Sequence, residues 1–235
     1  MRTLTMSCAV ALLCAAGCAT QRTVMMPERN APALAAAVRA EMQHAWAGYR
    51  QYAWGHDELL PLSRGARDWH AGSLLMTPVD ALDTLLIMHL DAEANEARAL
   101  IDQKLSFDQD ISVKTFEITI RILGGLLSAY QMTGDPRLLE LATELGRRLA
   151  PAFHSPTGMP YTNVNLRTGA VSGAHSNPAE IGTLILEFGT LSKLTHDPRY
   201  YDMAKQALRA LWQRRSPIGL VGEEIDVETG RWVSP

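Results

Sequence analysis

Apolar residues recur at helical spacing along most of this chain, and they predict a protein built almost entirely of α-helices. The predicted helices cover residues 32–53, 77–88, 93–104, 113–132, 136–150, 178–194 and 198–214. Those that begin near residues 78, 113 and 178 are apolar on nearly every side, whereas those that begin near 93, 136 and 198 carry a charged face. A helix that is apolar all round is buried, and an amphipathic helix faces water on one side. The alternation therefore predicts a two-layered α/α barrel with an inner and an outer ring.

Part of this pattern occurs twice. Thr133-Gly134-Asp135-Pro136-Arg137 opens one helix, and Thr195-His196-Asp197-Pro198-Arg199 opens another 62 positions later. An Asp before Pro favours a helix start, because its carboxylate can accept backbone N–H bonds and Pro is tolerated at the first helical position. Each helix is followed by a Ser-Pro-x-Gly turn and then by a Thr-Gly pair. Two copies of helix, turn and hairpin at nearly one period predict a repeated α/α unit.

Composition restricts the class of protein. The chain has 235 residues, of which 47% are hydrophobic and 20% are charged, with a net charge of −3. These values are typical of a single globular domain with a sizeable core. The mild acidity, and the absence of any run of Lys or Arg, argue against a nucleic-acid-binding protein.

The N-terminus resembles an export signal. Arg2 precedes an apolar stretch, and small residues lead up to Cys18 as in a bacterial lipoprotein cleavage box. We therefore expect a signal peptide over residues 1–18, lipidation of Cys18, a polar tether over 19–30 and the folded domain over 31–235. This arrangement predicts a membrane-anchored lipoprotein of the bacterial periplasm. The alternatives are an ordinary secretory signal cut nearby and an uncleaved anchor. All three cysteines lie in the leader, so we predict no disulfide and no Cys-ligated metal site in the mature domain.

A narrow polar stripe marks an otherwise apolar predicted helix. Glu117, Arg121, Gly124 and Ser128 stand at i, i+4, i+7 and i+11 on the helix predicted over residues 113–132. A surface ion pair at i,i+4 would stabilise the helix by only about 0.2–0.5 kcal/mol, and it would normally lie on a broad polar face. A stripe one residue wide on an inner helix indicates instead that these residues line the barrel cavity.

Four further acids are candidates for substrate contact. Asp80 and Glu180 each occupy the third helical position after a cap and a Pro, where an acid needs no function because it satisfies free N–H groups. Both nevertheless belong to inner helices, so both would lie at a mouth of the cavity. Asp83 and Glu187 lie further along the same helices and are either buried structural partners or cavity-lining groups. His56, His70, His154 and His175 fall in predicted loops without metal-ligand spacing, so we predict solvated or hydrogen-bonded histidines and no metal ligands.

Four segments closely resemble glycoside hydrolase family 47, the class I α-1,2-mannosidases and their ER-degradation relatives. They are YAWGHDEL at 52–59, VDALDTL at 79–85, FEITIRILGGLLSAY at 116–130 and AEIGTLILEF at 179–188. The resemblance extends from about residue 33 to the end. It implies an (α/α)7 barrel, an inverting mechanism, a mannose-containing glycan as substrate and a calcium ion at the base of the cavity. It further implies that Glu117 is the general acid, Arg121 a neighbouring active-site residue and Glu180 a carboxylate at the mannose site.

The same resemblance places the family's proposed base and its calcium-binding Thr beyond residue 235. Inverting hydrolysis uses two carboxyl groups about 6.5–9.5 Å apart. We therefore expect the N-terminal half of an exported α-mannosidase, inactive and poorly soluble by itself, in which inner-helix residues such as Leu85, Ile120 and Leu184 lose part of their packing. The alternative is a non-catalytic glycan-binding or interaction module built on a half-toroid.

Overall fold

The computed structural model describes residues 31–234, and the predictions for the signal peptide, Cys18 and the tether lie outside the described residues. The chain divides into two units, residues 1–40 and 41–235, and all contacts below belong to the second. The helices are α1 (Ala31–Tyr52), α2 (Met76–Asp80), α3 (Leu82–Ile87), α4 (Asp91–Lys104), α5 (Thr115–Ile118), α6 (Gly124–Thr133), α7 (Pro136–Leu149), α8 (Pro178–Gly182), α9 (Ile185–Thr195) and α10 (Pro198–Gln213). No helix within residues 31–234 combines the length and the apolar character that crossing a membrane requires.

Eight short strands complete the described part of the chain. They are β1 (Glu58–Leu60), β2 (Gly65–Arg67), β3 (Ser112–Lys114), β4 (Asn163–Asn165), β5 (Val171–Ser172), β6 (His175–Ser176), β7 (Glu224–Asp226) and β8 (Trp232–Ser234). All strand pairs are antiparallel, and the sheets have the orders β1-β2, β3-β4-β5 and β6-β7-β8. The second and third sheets each join a strand that precedes an inner helix to the hairpin that follows the next outer helix. Each repeat is therefore strand, inner helix, outer helix and hairpin, which confirms the predicted repeat.

Local hydrogen bonds explain why the two repeats start alike. Asp135 Oδ1 accepts the backbone N–H of Arg137 at 3.0 Å, and Asp197 Oδ1 accepts that of Arg199 at 3.1 Å. Both Asp residues have extended backbone and are followed by Pro at the first helical position. The predicted caps of α7 and α10 are confirmed.

The two hairpins are also built alike. Asn165 Oδ1 and Asp226 Oδ1 each accept two backbone N–H groups from the turn that follows, at 2.8–3.0 Å. Each turn ends at a glycine with left-handed backbone, Gly169 at φ 73° and Gly230 at φ 71°. Asn and Asp favour such turns because their side chains bond to the backbone two residues on, and glycine takes a positive φ without strain.

The outer helices bury one face, as the periodicity predicts. On α7 the buried residues recur at helical spacing and include Leu138, Leu141, Ala142, Leu145 and Leu149. The inner helix α6 packs closely on α2, where a Cβ on Gly125 would lie 2.6 Å from the carbonyl oxygen of Val79. Close helix packing therefore explains Gly125.

The inner helices differ from the prediction in being interrupted. The segment 77–88 forms α2 and α3, and 178–194 forms α8 and α9. The segment 113–132 begins as strand β3 and contains a π-helical turn, Thr119–Leu123, between α5 and α6. The Thr119 hydroxyl donates to the Thr115 carbonyl at 2.7 Å immediately before this turn. Such side-chain bonds compete with the regular helical ladder, which hydropathy does not register.

The predicted cap and Pro before Asp80 are Thr77 and Pro78, and this cap at Thr77 is wrong. Helix α2 starts one residue earlier, after Leu75, whose backbone is left-handed at φ 52° and which supplies no side-chain cap. The Thr77 hydroxyl instead donates to the carbonyl oxygen of Asp57 at 2.7 Å. Asp80 is consequently the last residue of α2 rather than an acid of its first turn. A long-range partner displaced the local one.

The expectation that Leu85, Ile120 and Leu184 lose part of their packing is also wrong. Leu85 and Leu184 are fully buried in the hydrophobic core, and Ile120 is half-buried. The exposed large apolar residues of the inner helices are Ile87 and Leu186, both 67% exposed, and Met132, 45% exposed. Helix α9 is therefore not buried all round, since only its face at Phe188 and Leu191 enters the core.

Candidate active site

A cleft of about 270 Å³ lies where the loop after β2 meets the start of α5. Its walls are formed by Arg67, Asp68, Trp69, His70, Lys114, Glu117 and Ile118. Glu117 is the third residue of α5, and this helix directly follows the short strand β3, which pairs with β4. The strand pairing fixes where the helix begins, so it also fixes where the Glu117 carboxylate enters the cleft.

Arg121 connects two acids from different helices. Its Nε donates to Glu117 Oε2 at 3.0 Å, and its Nη1 donates to Asp80 Oδ2 at 3.3 Å. Burial by itself would lower the pKa of Arg121, but the hydrogen bonds and charges of Glu117 and Asp80 outweigh it and raise the pKa above the ordinary value. The guanidinium is thus a fixed positive charge between two carboxylates.

Trp69 also lines the cleft, and two hydrogen bonds fix its position. Its indole N–H donates to Glu58 Oε2 at 2.9 Å, and its backbone N–H donates to Asp57 Oδ2 at 2.9 Å. The Arg121 guanidinium carbon lies 5.8 Å from the centre of the indole ring, within the range of a cation–π contact. The cleft therefore places an anchored aromatic face beside the Glu117–Arg121 pair.

The buried Asp57 organises the loop that carries Trp69. Asp57 is fully buried, and its carboxylate also accepts the hydroxyl of Ser73 at 3.0 Å and the backbone N–H groups of Leu74 at 2.7 Å and Met76 at 3.2 Å. A buried carboxylate is tolerated only when its oxygens are hydrogen-bonded, and here four donors meet them. Asp57 is not among the site residues predicted from the sequence. The available signal was its place in the segment YAWGHDEL.

The remaining stripe positions also face acids. Ser128 donates to Asp83 Oδ2 at 2.8 Å, which joins α6 to α3. A Cβ on Gly124 would lie 3.6 Å from Glu187 Cγ, so Glu187 packs over this glycine. Burial raises the pKa of Glu187 above the ordinary value for Glu, and Glu187 Oε2 has no hydrogen-bond partner in the part of the chain that the structure describes. Asp80, Asp83 and Glu187 therefore each lie beside a residue of the polar stripe, namely Arg121, Ser128 and Gly124. Their roles stay predictions.

Glu180 lies in a separate groove of about 470 Å³, whose wall includes Lys114 of the Glu117 cleft. The side chain of Asn177 accepts the backbone N–H of Glu180 at 3.0 Å, which is the predicted cap. Glu180 is the third residue of α8, as Glu117 is of α5, and each follows the strand that opens its repeat. The two acids therefore occupy corresponding positions in successive repeats, 63 residues apart. This correspondence was not predicted from the sequence.

Two of the predicted loop histidines lie beside carboxylates, and a third lines the Glu117 cleft. His56 Nδ1 lies 3.0 Å from Asp68 Oδ2, and His175 Nδ1 lies 3.3 Å from Glu224 Oε1. His175 belongs to strand β6 and not to the predicted loop. His70 lines the Glu117 cleft, and burial lowers its pKa, so its neutral form is favoured. Between residues 31 and 234 no three His, Cys, Asp or Glu side chains are grouped to hold a metal ion.

Comparisons with known proteins identify the family. The sequence profile of glycosyl hydrolase family 47 matches residues 41–235. The chain is 44% identical over 212 residues to ER degradation-enhancing alpha-mannosidase-like protein 2 of Mus musculus, covering 84% of this chain and 36% of that protein. It is 46% identical over 167 residues to the endoplasmic reticulum mannosyl-oligosaccharide 1,2-alpha-mannosidase of Homo sapiens, covering 69% of this chain and 24% of that protein. The chain thus spans about a third or less of the length of these two relatives.

A solved structure supports the same assignment. The alpha-1,2-mannosidase from Trichoderma reesei superposes with a TM-score of 0.79 and 32% sequence identity, over 86% of this chain and 46% of that one. Together with the mostly helical architecture, this match confirms the predicted (α/α)7 barrel fold class. The profile match, the identities and the shared fold establish that this chain belongs to glycosyl hydrolase family 47.

Proposed function

We propose that this chain supplies the general acid of an inverting, exo-acting α-1,2-mannosidase that removes terminal mannose from oligosaccharides or glycoproteins. The observation that carries the proposal is the position of Glu117 on the wall of a cleft that the anchored Trp69 also lines, with one Glu117 oxygen fixed by Arg121. The names of two similar proteins, a mannosyl-oligosaccharide 1,2-alpha-mannosidase and an alpha-1,2-mannosidase, support the choice of reaction.

The proposed step is a proton transfer from Glu117 to the oxygen of the glycosidic bond. Of the two carboxylate oxygens of Glu117, Oε2 is hydrogen-bonded to Arg121, and Oε1 has no hydrogen-bond partner within residues 31–234. Oε1 is therefore the oxygen that carries and delivers the proton. The bond between that oxygen and the anomeric carbon breaks, and the leaving sugar departs as an alcohol. Water adds from the opposite face of the mannose ring and loses a proton to a second carboxylate, which inverts the configuration. We assign that second carboxylate to no residue of this chain.

Arg121 and Asp80 have positioning roles in this proposal. Arg121 holds Oε2, which leaves the Glu117 carboxyl group few rotamers to lose when substrate binds. Asp80 shares the positive charge of the guanidinium, so that charge does not act on Glu117 alone. We further propose that Arg121, Asp80, Asp83, Glu180 and Glu187 form the mannose-binding surface.

Calcium enters only through the family resemblance. The described residues contain no group of three acidic, His or Cys side chains that fits a metal ion. No step above involves the ion, and calcium remains a prediction for the intact enzyme. The prediction that these 235 residues are inactive and poorly soluble by themselves rests on the same resemblance.

The test compares Glu117→Gln with Glu140→Gln in the full-length protein, using an α-1,2-linked mannobiose. Glu140 is exposed on the outer helix α7 and serves as the matched control. The proposal expects that Glu117→Gln abolishes hydrolysis and that Glu140→Gln preserves it. Binding of mannobiose without hydrolysis by the wild-type protein would favour the alternative, a non-catalytic glycan-binding module. Full hydrolysis by Glu117→Gln would remove this residue from the mechanism.

We also propose that the protein is exported and anchored at the periplasmic face of a bacterial membrane through lipid on Cys18. The support is the sequence of the leader, in which small residues precede Cys18. An acyl anchor holds a domain at a membrane surface by burying its chains among the lipids.

A further inference from the structure

A groove of about 510 Å³ separates the C-terminal part of α1 from α4, and it shares no wall residue with the Glu117 cleft. Arg50, Trp54, Glu96, Leu100, Gln103 and Lys104 line it. We propose that this groove is a second carbohydrate-binding site, which takes one hexose unit of a neutral oligosaccharide on the indole ring of Trp54.

Trp54 is presented to solvent on a rigid support. Its side chain is 37% exposed, whereas the neighbouring Trp46 is 3% exposed and belongs to the core. The Trp46 ring meets it edge-on at 6.1 Å and 90°, and the Tyr49 ring lies 5.9 Å away. The Tyr49 hydroxyl donates to the carbonyl oxygen of His56 at 2.8 Å, which fixes the chain just after Trp54. An aromatic ring held in this way offers a flat apolar surface at a low entropic cost of binding.

The surrounding polar groups suit hydroxyl groups. Glu96, Gln103 and Lys104 lie on the face of α4 that Leu100 also occupies, since positions seven and eight apart face the same side of a helix. Gln103 and Lys104 make no side-chain hydrogen bond or ion pair within residues 31–234. Glu96 Oε2 lies 3.1 Å from Arg50 Nε, yet it accepts no hydrogen bond from any described group. Glu96 Oε2 is buried beside Arg50, so the groups that the groove leaves for a ligand are the Gln103 amide and the Lys104 ammonium, beside one aromatic ring.

This mixture favours a neutral sugar over a charged ligand. Arg50 and Lys104 would repel a basic segment, and because Arg50 and Glu96 form an ion pair, the single charge of Lys104 is all that the wall residues offer to an anion. A hexose presents an apolar C–H face to an indole and hydroxyl groups, each both donor and acceptor, at its rim. Ligand sites of this kind combine an aromatic surface with a few polar groups that fix orientation. The choice of mannose as the sugar rests on the proposed function, but the choice of a neutral hexose does not.

The test measures binding of α-1,2-mannobiose and of larger mannose oligosaccharides by calorimetry, in a Glu117→Gln background that prevents hydrolysis. Trp54→Ala is compared with Trp212→Ala, which removes another exposed indole, 58% exposed, on α10. We expect Trp54→Ala to lower the affinity for the larger oligosaccharides by tenfold or more, Trp54→Phe to retain part of it, and Trp212→Ala to leave it unchanged.

A second variant guards against misfolding, because Trp54 contacts core aromatic rings. Gln103→Ala with Lys104→Met alters only the rim on α4, and we expect it to weaken the same binding at least threefold while the circular dichroism spectrum is unchanged. Equal affinity of the wild type, Trp54→Ala and the rim variant would overturn the second site. That result is distinct from failure of the proposed function, because hydrolysis by the wild type depends on Glu117 and binding in this assay depends on Trp54.

Discussion

The carboxylate of Asp57 accepts the backbone N–H of Trp69 at 2.9 Å, so a fully buried acid holds one wall of the candidate active site. The two residues come from opposite ends of the β1–β2 hairpin, 12 positions apart in the chain. The same carboxylate also caps the turn that leads into α2, through Leu74 and Met76. The position of Trp69 and the start of α2 are therefore coupled through one side chain.

We predict that Asp57→Asn destabilises the fold and loosens Trp69. An amide offers one acceptor oxygen instead of two and directs an NH₂ group at backbone donors, so at least one buried N–H is left without a partner. The expected loss is about 1–3 kcal/mol in the free energy of unfolding. Urea denaturation measures the loss, and Asp202→Asn on the exposed face of α10 is the control. Equal stability of the two variants would show that Asp57 does not organise the loop.

For Glu117→Gln in the full-length protein, we predict a fall in kcat of about 10²–10⁴-fold or more, the range expected for loss of general acid catalysis. The amide cannot deliver a proton to the leaving oxygen, although it can keep a hydrogen bond to Arg121. The melting temperature should therefore change little. The assay is hydrolysis of α-1,2-mannobiose, and a variant whose KM alone changes would point to substrate binding rather than acid catalysis.

We predict that ionisation of Glu187 lowers the free energy of unfolding as pH rises. Burial raises the pKa of Glu187 in the folded state, so the folded protein holds this proton to higher pH than the unfolded chain does. The contribution of Glu187 to stability is then complete below its unfolded pKa of about 4.3, and it is lost as pH rises through the raised folded pKa. Glu187→Gln removes this titration and keeps a neutral side chain.

Urea denaturation between pH 4 and pH 8 measures this effect. The difference in unfolding free energy between Glu187→Gln and the wild type should shift in favour of the variant as pH rises. Glu140→Gln, an exposed position, should show no such trend. A pH-independent difference for Glu187→Gln would mean that Glu187 is ionised at no cost.

The adjacent glycines of α6 give a matched pair of predictions. A methyl group on Gly125 would lie 2.6 Å from the Val79 carbonyl oxygen, so Gly125→Ala must push α6 away from α2. We expect it to destabilise the protein by about 1–3 kcal/mol. A methyl group on Gly124 meets nothing nearer than 3.6 Å, so Gly124→Ala should be neutral or stabilise by up to about 1 kcal/mol. Thermal unfolding measures the stability of both variants. Equal changes in stability for Gly124→Ala and Gly125→Ala would contradict the close contact at Gly125.

For the leader we predict that Cys18→Ser releases the mature protein from membranes. The acyl chains are the proposed anchor, and a serine hydroxyl is not a substrate for thioether lipidation. Fractionation of cells that express the wild type and the variant measures the effect, with Cys14→Ser as the control within the same leader. A wild-type protein that already fractionates as soluble and unlipidated would instead indicate an ordinary secretory signal.

The sequence by itself determined the features that depend on neighbouring residues. The Asp135 and Asp197 caps form as predicted because each carboxylate bonds an N–H two residues away, a contact that the local chain can make alone. The repeat was visible for the same reason, since the turn residues recur with the helices. The family could also be predicted from the sequence, because its motifs are continuous segments that include Glu117 and Glu180.

Only the tertiary structure decided which distant groups meet. Arg121 bonds Glu117 four residues away, as helical spacing allows, but its second partner, Asp80, is 41 positions away. Thr77 does not form its predicted cap because its hydroxyl donates to the carbonyl oxygen of Asp57, 20 positions earlier in the chain. Helical periodicity records which face of one segment is apolar, and it holds no information on the register at which two segments pack. That register brings Asp80 to Arg121 and Asp57 to Trp69.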